Sequence, residues 1–270
     1  MQELLAFLLD RIRRGGQMTL DYRLPLRELK FESKATPRDI VTEADSAVER
    51  YLVSEIRAAY PDHAIWGEET GRSGDENAEF RWVIDPIDGT NSFLYGQPSY
   101  ATSIAIERDG EVVLAAVYAP VLDELYHAVR GGGAFCNGEP IHASSCDILA
   151  ESMLATGLAC LRAEAEYHVL PFFNDFAVRC RDLRRMGSAA VDLCFVAAGR
   201  FDGYFELSLN HYDIAAGILI VTEAGGTVSD FRDRPDGLPG EVLATNGPLH
   251  PAMLDRLQTV GRDAYPAQFS

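Results

Sequence analysis

The chain has 270 residues, 47% of them hydrophobic and 24% charged, a globular composition that excludes a disordered or collagen-like polymer. Twenty-four basic against 41 acidic residues give a net charge of −17, and no Lys/Arg run offsets that field, so no nucleic-acid partner is expected. Apolar runs such as 112–120 fall far short of the roughly 20 residues a membrane span needs, and residues 1–9 carry Glu3 without a basic leader, so neither a membrane nor a secretion signal is expected. Five scattered cysteines, at 136, 146, 160, 180 and 194, form no C-x-x-C pair and suit a reducing cytoplasm, the expected location.

Leu4, Leu5, Leu8, Leu9 and Ile12 recur at helical spacing and predict an amphipathic helix over 2–14, closed by Gly15-Gly16. Val48, Leu52, Ile56 and Ala59 predict a second helix over 43–60, stopped by Pro61, with Asp45 in its first turn. Residues 81–85 read as a short strand. Residues 101–107 and 111–119 flank Asp109-Gly110, a pair suited to a type I′ hairpin turn, and Asn137-Gly138 marks another hairpin. From Glu151 onward helix and strand patterns alternate: a helix over 188–198, a strand over 201–207, a helix over 214–224 with Asp213 at its N-cap, a strand over 227–231 and a surface loop over 232–240. The order predicts an α/β layered sandwich, with an N-terminal α+β half (1–145), a C-terminal α/β half (146–270) and a cleft between them.

Three acidic groups fall at the ends of these elements: Glu68-Glu69, Asp85 with Asp88, and Asp213. Across Pro86, Asp88 can turn back toward Asp85 while Ile87 offers its carbonyl. Like charges about 4 Å apart repel by about 4 kcal/mol at an effective dielectric near 20, so convergent carboxylates require a cation. Every candidate ligand is an oxygen, which favours Mg²⁺ over Zn²⁺. Gly89-Thr90 adds a glycine and a hydroxyl at a turn, where backbone N–H groups can approach an anion. A phosphate held between metal ions and those amides forms a coherent site.

Several segments occur in the order found in one family: Lys34-x4-Asp39-x-Val41-Thr42-x2-Asp45, Gly67-Glu68-Glu69, Trp82 to Thr90 (WVIDPIDGT), Gly187-Ser188-Ala189-Ala190, and Tyr212-Asp213-Ile214-Ala215-Ala216-Gly217 leading to Glu223-Ala224-Gly225-Gly226. In these the chain resembles the inositol monophosphatase family of Mg²⁺-dependent, lithium-sensitive sugar phosphatases. The resemblance implies two or three Mg²⁺ ions held by Glu68, Asp85, the Ile87 carbonyl, Asp88 and Asp213. It makes Asp45 and Thr90 the pair that orients and deprotonates a water, with Glu68 beside them, and gives phosphate to the Gly89 and Thr90 amides. It puts Ser188, Ala189 and Glu206 on the sugar hydroxyls, Glu69 next to the metal cluster, and Lys34 in an electrostatic role. It implies a small phosphorylated substrate, led by inositol 1-phosphate, with fructose 1,6-bisphosphate, histidinol phosphate and 3′-phosphoadenosine 5′-phosphate as alternatives, and a homodimer. Tyr212 replaces the family's usual Trp, Ser92 an Asn, and His211 is bulkier than usual.

Other chemistries fit less well. Cys194-x5-Arg200 has cysteine-phosphatase spacing but lies in an Ala-rich apolar helix, which would raise the thiol pKa. There is no G-x-S-x-G elbow and no G-x4-G-K-[ST] loop, and Gly131-Gly132-Gly133 precedes a hairpin instead of opening a helix. His63, His127, His142, His168 and His250 lack partners at metal-ligand spacing. A relative that binds metal and phosphate without turnover is the remaining alternative of a different class.

Overall fold

A computed structural model of the chain describes residues 1–22, 30–33, 40–234, 238 and 240–269; Lys34 and Asp39 lie outside the described residues. The apolar stripe at the N-terminus forms α1 (Gln2–Asp21), burying Leu4, Leu8 and Ile12. This helix is longer than its sequence pattern predicts and runs straight through Gly15-Gly16. Both glycines are buried against neighbours: a Cβ on Gly16 would stand 2.4 Å from Tyr118 Cδ1, and one on Gly15 would stand 3.2 Å from Leu52 Cδ2. They permit close packing within the helix and do not end it.

A short antiparallel pair, β1 (Phe31–Ser33) and β2 (Ile40–Thr42), leads into α2 (Glu43–Ala59). Thr42 caps α2, and Asp45 completes a capping box by accepting the Thr42 N–H at 2.8 Å. Next come β3 (Ala64–Gly67), β4 (Gly71–Ser73), β5 (Phe80–Asp88), the short α3 (Thr90–Leu94), β6 (Ala101–Arg108), β7 (Glu111–Ala119), β8 (Glu124–Val129), β9 (Gly133–Cys136) and β10 (Glu139–Pro140). They make an eight-stranded sheet in the order β10-β9-β8-β7-β6-β5-β3-β4, antiparallel except between β3 and β5. Its hairpins turn where expected, with positive φ at Asp109 (54°) and Gly110 (81°), and at Asn137 (51°) and Gly138 (86°).

The remaining elements are β11 (Met153–Thr156), α4 (Ala159–Arg162), α5 (Leu170–Ala177), β12 (Asp182–Arg184), α6 (Ala189–Ala197), β13 (Gly203–Leu207), α7 (His211–Glu223), β14 (Thr227–Ser229), β15 (Glu241–Thr245) and α8 (His250–Ala264). Five of them pair in the order β12-β11-β13-β15-β14, parallel through β12, β11 and β13 and antiparallel beyond. The predicted helix over 214–224 begins earlier, at His211. Its N-cap is Asn210, and Asp213 stands three residues further on, accepting the Asn210 N–H at 2.6 Å. The predicted strand over 227–231 stops at Ser229.

Three apolar cores define the layers. Val48, Leu52 and Ile56 of α2, with the α1 stripe, pack on Trp82, Ile84, Ile104 and Leu114. Helices α6 and α7 carry apolar side chains on opposite faces and lie between the sheets, packing in one core with Val83, Ala105 and Val117 of the larger sheet and Tyr204, Val242 and Ala244 of the smaller. Phe172 and Phe176 of α5 and Met253 and Leu257 of α8 cover Leu154, Phe205 and Leu243. The result is the expected α/β sandwich, in five layers: helices, sheet, helices, sheet, helices. Among the described residues no helix is long and apolar enough to cross a membrane.

Candidate active site

The end of β5 meets the first turns of α6 and α7. Between Asp85 and Asp88 the β5–β6 register shifts, because Pro86 has no N–H to donate to the ladder. The irregularity brings Asp85 and Asp88 to the same point as Asp213, one oxygen from each lying within 4.8 Å of the others. Glu68, Ile87, Gly89 and Thr90 line the same cavity.

These carboxyls are in a state that calls for a cation. Asp85 is 1% exposed, and its Oδ1 has no hydrogen-bond partner. Burial, then the charges of Glu68, Asp88 and Asp213, push Asp85 well above the usual carboxylate range. Asp213 is likewise raised, by burial first and by Asp88 and Glu68 next. Burial pushes Asp88 up to about 7, against hydrogen bonds from Ser188 Oγ and the Ala190 N–H, both at 2.6 Å. An orphaned buried oxygen among mutually repelling carboxyls, with oxygen-only donors, fits a hard divalent ion such as Mg²⁺.

Beside the cluster stands a hydroxyl–carboxyl pair. Thr90 Oγ1 is 3.2 Å from Asp45 Oδ1 and 3.1 Å from the Ile87 carbonyl, and can donate to either. Asp45, almost fully buried, also accepts from Thr42 Oγ1 at 2.5 Å. Burial pushes its carboxyl up to about 7; the Thr42 hydrogen bonds oppose this, while Glu68 and Glu69 add to it. Gly89, at φ 93°, precedes α3, and a Cβ there would meet the Gly187 and Ser99 carbonyl oxygens at 3.0 Å. Ser92 is buried in α3 and lies 3.4 Å from the Met186 carbonyl, at the edge of the loop that leads to Ser188.

A second pocket adjoins the cluster and is lined by Ser188, Ala189 and Glu206 together with Asp88 and Asp213. Ser188 caps α6 and also donates to Asp88, so it fixes that carboxylate in addition to facing the pocket. Glu206, on β13, accepts the Ala159 N–H at 2.9 Å and the Tyr204 hydroxyl. His211 stacks on Trp66 at 5.2 Å and bonds Glu107 at 2.5 Å, while Tyr212 meets Trp66 edge-on at 6.4 Å. His211 and Tyr212 therefore form an aromatic wall with Trp66 at the start of α7.

Two buried acidic residues escaped the sequence reading, as did Arg162 and Arg185, which line the second pocket. Glu49, fully buried on α2, accepts the Glu69 N–H at 2.9 Å and the Thr70 N–H at 2.7 Å, pinning the loop that carries Glu68 and Glu69. Its position four residues after Asp45, on the buried stripe of α2, was the available signal. Asp192 is the other; it lies inside an apolar helix and gives no motif. The competing motifs are spent elsewhere: burial pushes the Cys194 thiol well up, and the Gly131 and Gly133 N–H groups are occupied by Glu223 at 2.7 and 2.9 Å.

The inositol monophosphatase family model matches residues 1–262. The chain belongs to the inositol monophosphatase family. It is 40% identical over 239 residues to the Nus factor SuhB of Pasteurella multocida, covering 88% of this chain and 89% of that one. It is also 40% identical over 219 residues to the inositol-1-monophosphatase of Mesorhizobium japonicum, covering 81% and 82%. The solved structure of the extragenic suppressor protein suhB from Bartonella henselae superposes with a TM-score of 0.88 at 32% identity, over 94% of this chain and 98% of that one. The family model and the solved structure agree on the inositol monophosphatase fold of this chain.

Proposed function

We propose that this inositol monophosphatase family member is a Mg²⁺-dependent phosphomonoesterase that converts inositol 1-phosphate, or a related small sugar phosphate, to the alcohol and inorganic phosphate. The observation that carries the reading is the convergence of Asp85, Asp88 and Asp213 beside the Thr90–Asp45 pair. Glu68, Asp85, the Ile87 carbonyl, Asp88 and Asp213 would hold the metal. When bound, Mg²⁺ supplies Lewis acidity toward the phosphate oxygens and acidifies a neighbouring water. Thr90 Oγ1 orients the attacking water, and Asp45, held in place by Thr42, receives its proton. The Gly89 and Thr90 amides receive a phosphate oxygen at the start of α3. Ser188, Ala189 and Glu206, which line one pocket beside the cluster, orient the alcohol. Glu69 sits near enough to raise Asp45, and Lys34 is assigned an electrostatic part.

The test is phosphate release from inositol 1-phosphate, fructose 1,6-bisphosphate, histidinol phosphate and 3′-phosphoadenosine 5′-phosphate with Mg²⁺, with EDTA and with added Li⁺. Release led by inositol 1-phosphate, abolished by EDTA and lowered by Li⁺, is expected. Light scattering on the eluting protein checks the proposed homodimer. The Nus factor name of the Pasteurella multocida relative favours a second reading, a role in a transcription complex without turnover. Co-purification with RNA polymerase, together with no release from any of the four substrates, would replace the first reading with the second.

A further inference from the structure

Asp192 is the one charged residue of α6, whose nine residues are otherwise Ala, Val, Leu, Cys and Phe and are all buried. A carboxyl between two sheets is costly unless it has partners, yet Asp192 Oδ1 has no hydrogen-bond partner. Capping does not account for it, because Ser188 already fills that position and accepts the Val191 N–H at 3.2 Å. Glu206 differs, since its oxygens are engaged by Ala159 and Tyr204.

Both carboxyls line the pocket beside the metal cluster, which also holds Arg162, Arg185, Leu158 and Leu209. Carboxyls accept from hydroxyls and guanidinium groups donate to them, while aliphatic side chains cover C–H faces, so the lining matches a small polyhydroxylated ring.

We propose that Asp192 is a specificity-determining residue, accepting a hydrogen bond from a hydroxyl of the leaving alcohol beside Glu206. The proposal rests on the phosphomonoesterase reading and deepens it by assigning the polyol preference to a particular oxygen. An acyclic or aromatic alcohol without a hydroxyl at that place leaves Asp192 unsatisfied and binds less tightly.

The experiment is isothermal titration calorimetry of the full chain with inositol 1-phosphate and with phenyl phosphate, using Ca²⁺ in place of Mg²⁺ to hold the substrate unreacted. Wild type is compared with Asp192→Asn, which keeps a carbonyl acceptor, and with Asp192→Leu, which has none. Asp192→Ala removes the same oxygens without adding bulk and serves if the leucine variant does not fold. The Leu or Ala variant is expected to weaken inositol 1-phosphate about tenfold, the effect of one lost hydrogen bond, with phenyl phosphate unchanged and the Asn variant close to wild type. Equal weakening of both ligands would mean a structural role, and no weakening of either would mean no contact; each overturns the proposal, as does a wild type that binds both ligands equally. Phosphate release with Mg²⁺ is measured separately for wild type and for the Leu or Ala variant. Asp192-dependent binding without release would remove the reaction and keep the pocket, and release that ignores Asp192 would do the reverse.

Discussion

Thr90 and Asp88 stand in one cavity but do different things with their oxygens, and substitution separates them. Thr90→Ala removes the hydroxyl that bridges toward Asp45 and leaves the carboxylate cluster whole, so kcat should fall by about a hundredfold or more while Mg²⁺ affinity stays near wild type. Asp88→Asn should abolish turnover and weaken Mg²⁺ binding together, with an unchanged circular dichroism spectrum; near-normal activity would end the metal-ligand assignment. If Asp45 takes the water's proton as proposed, its carboxyl contributes to the pH dependence once Mg²⁺ holds the clustered carboxyls ionised. Burial pushes its carboxyl up to about 7, so it holds a proton below that pH and cannot accept one from water; a cation on the neighbouring carboxyls moves the value lower. The kcat/KM profile should therefore fall on the acid side, with its limb at or below pH 7, and Asp45→Asn should flatten the limb as well as lower the plateau. The residues of the candidate site were legible because Asp85, Asp88, Gly89 and Thr90 crowd around one proline at a strand end. Asp192 and Glu49 were not, because a single acid on a helix reads as a solvated residue until burial is known.

At the scale of elements, α1 shows why a glycine pair misleads. Helix propensity alone favours replacing either glycine with alanine by about 1 kcal/mol. At Gly16 the added methyl would stand 2.4 Å from the Tyr118 ring, a fully packed residue, whereas at Gly15 it would meet the end of the Leu52 side chain at 3.2 Å. Gly16→Ala should be destabilised by about 1–3 kcal/mol, the usual cost of overpacking, and Gly15→Ala should be clearly more stable than Gly16→Ala. Urea denaturation of the two variants checks this, and equal midpoints would show that Tyr118 moves aside. The outer helices α1 and α2 were legible from their one-sided stripes, and the β6–β7 hairpin from Asp109-Gly110. The start of α7 was not, since Asp213 has the composition of an N-cap but accepts the N–H of the true cap, Asn210, from the first turn. A capping box and an N-cap look alike in sequence and differ by three residues in space.

For the whole molecule, the division near residue 145 separates two stretches of sequence that share a core. All strands of the larger sheet lie within 64–140 and all those of the smaller within 153–245, yet α6 and α7 bury the inner faces of both. We propose that residues 1–145 and 146–270 are halves of one folding unit: alone, the first would expose Val83, Ala105, Val117 and Tyr126, which the central helices cover. Neither half expressed separately should show a cooperative thermal transition, while the full chain should show one. The carboxylate cluster proposed to hold metal lies across the same seam, with Asp85 and Asp88 from the larger sheet and Asp213 from a central helix. An ion held by all three binds only the assembled state, so Mg²⁺ at a hundred times its Kd should add about 2.7 kcal/mol to stability. For a chain of this size that is a rise of about 5–10 °C in Tm, read by calorimetry against EDTA. Asp213→Asn removes the ligand from the far side of the seam and should lose most of that rise. If the variant kept the full rise, the ion would be bound by the larger sheet alone, and the seam would be held by apolar packing without help from the metal.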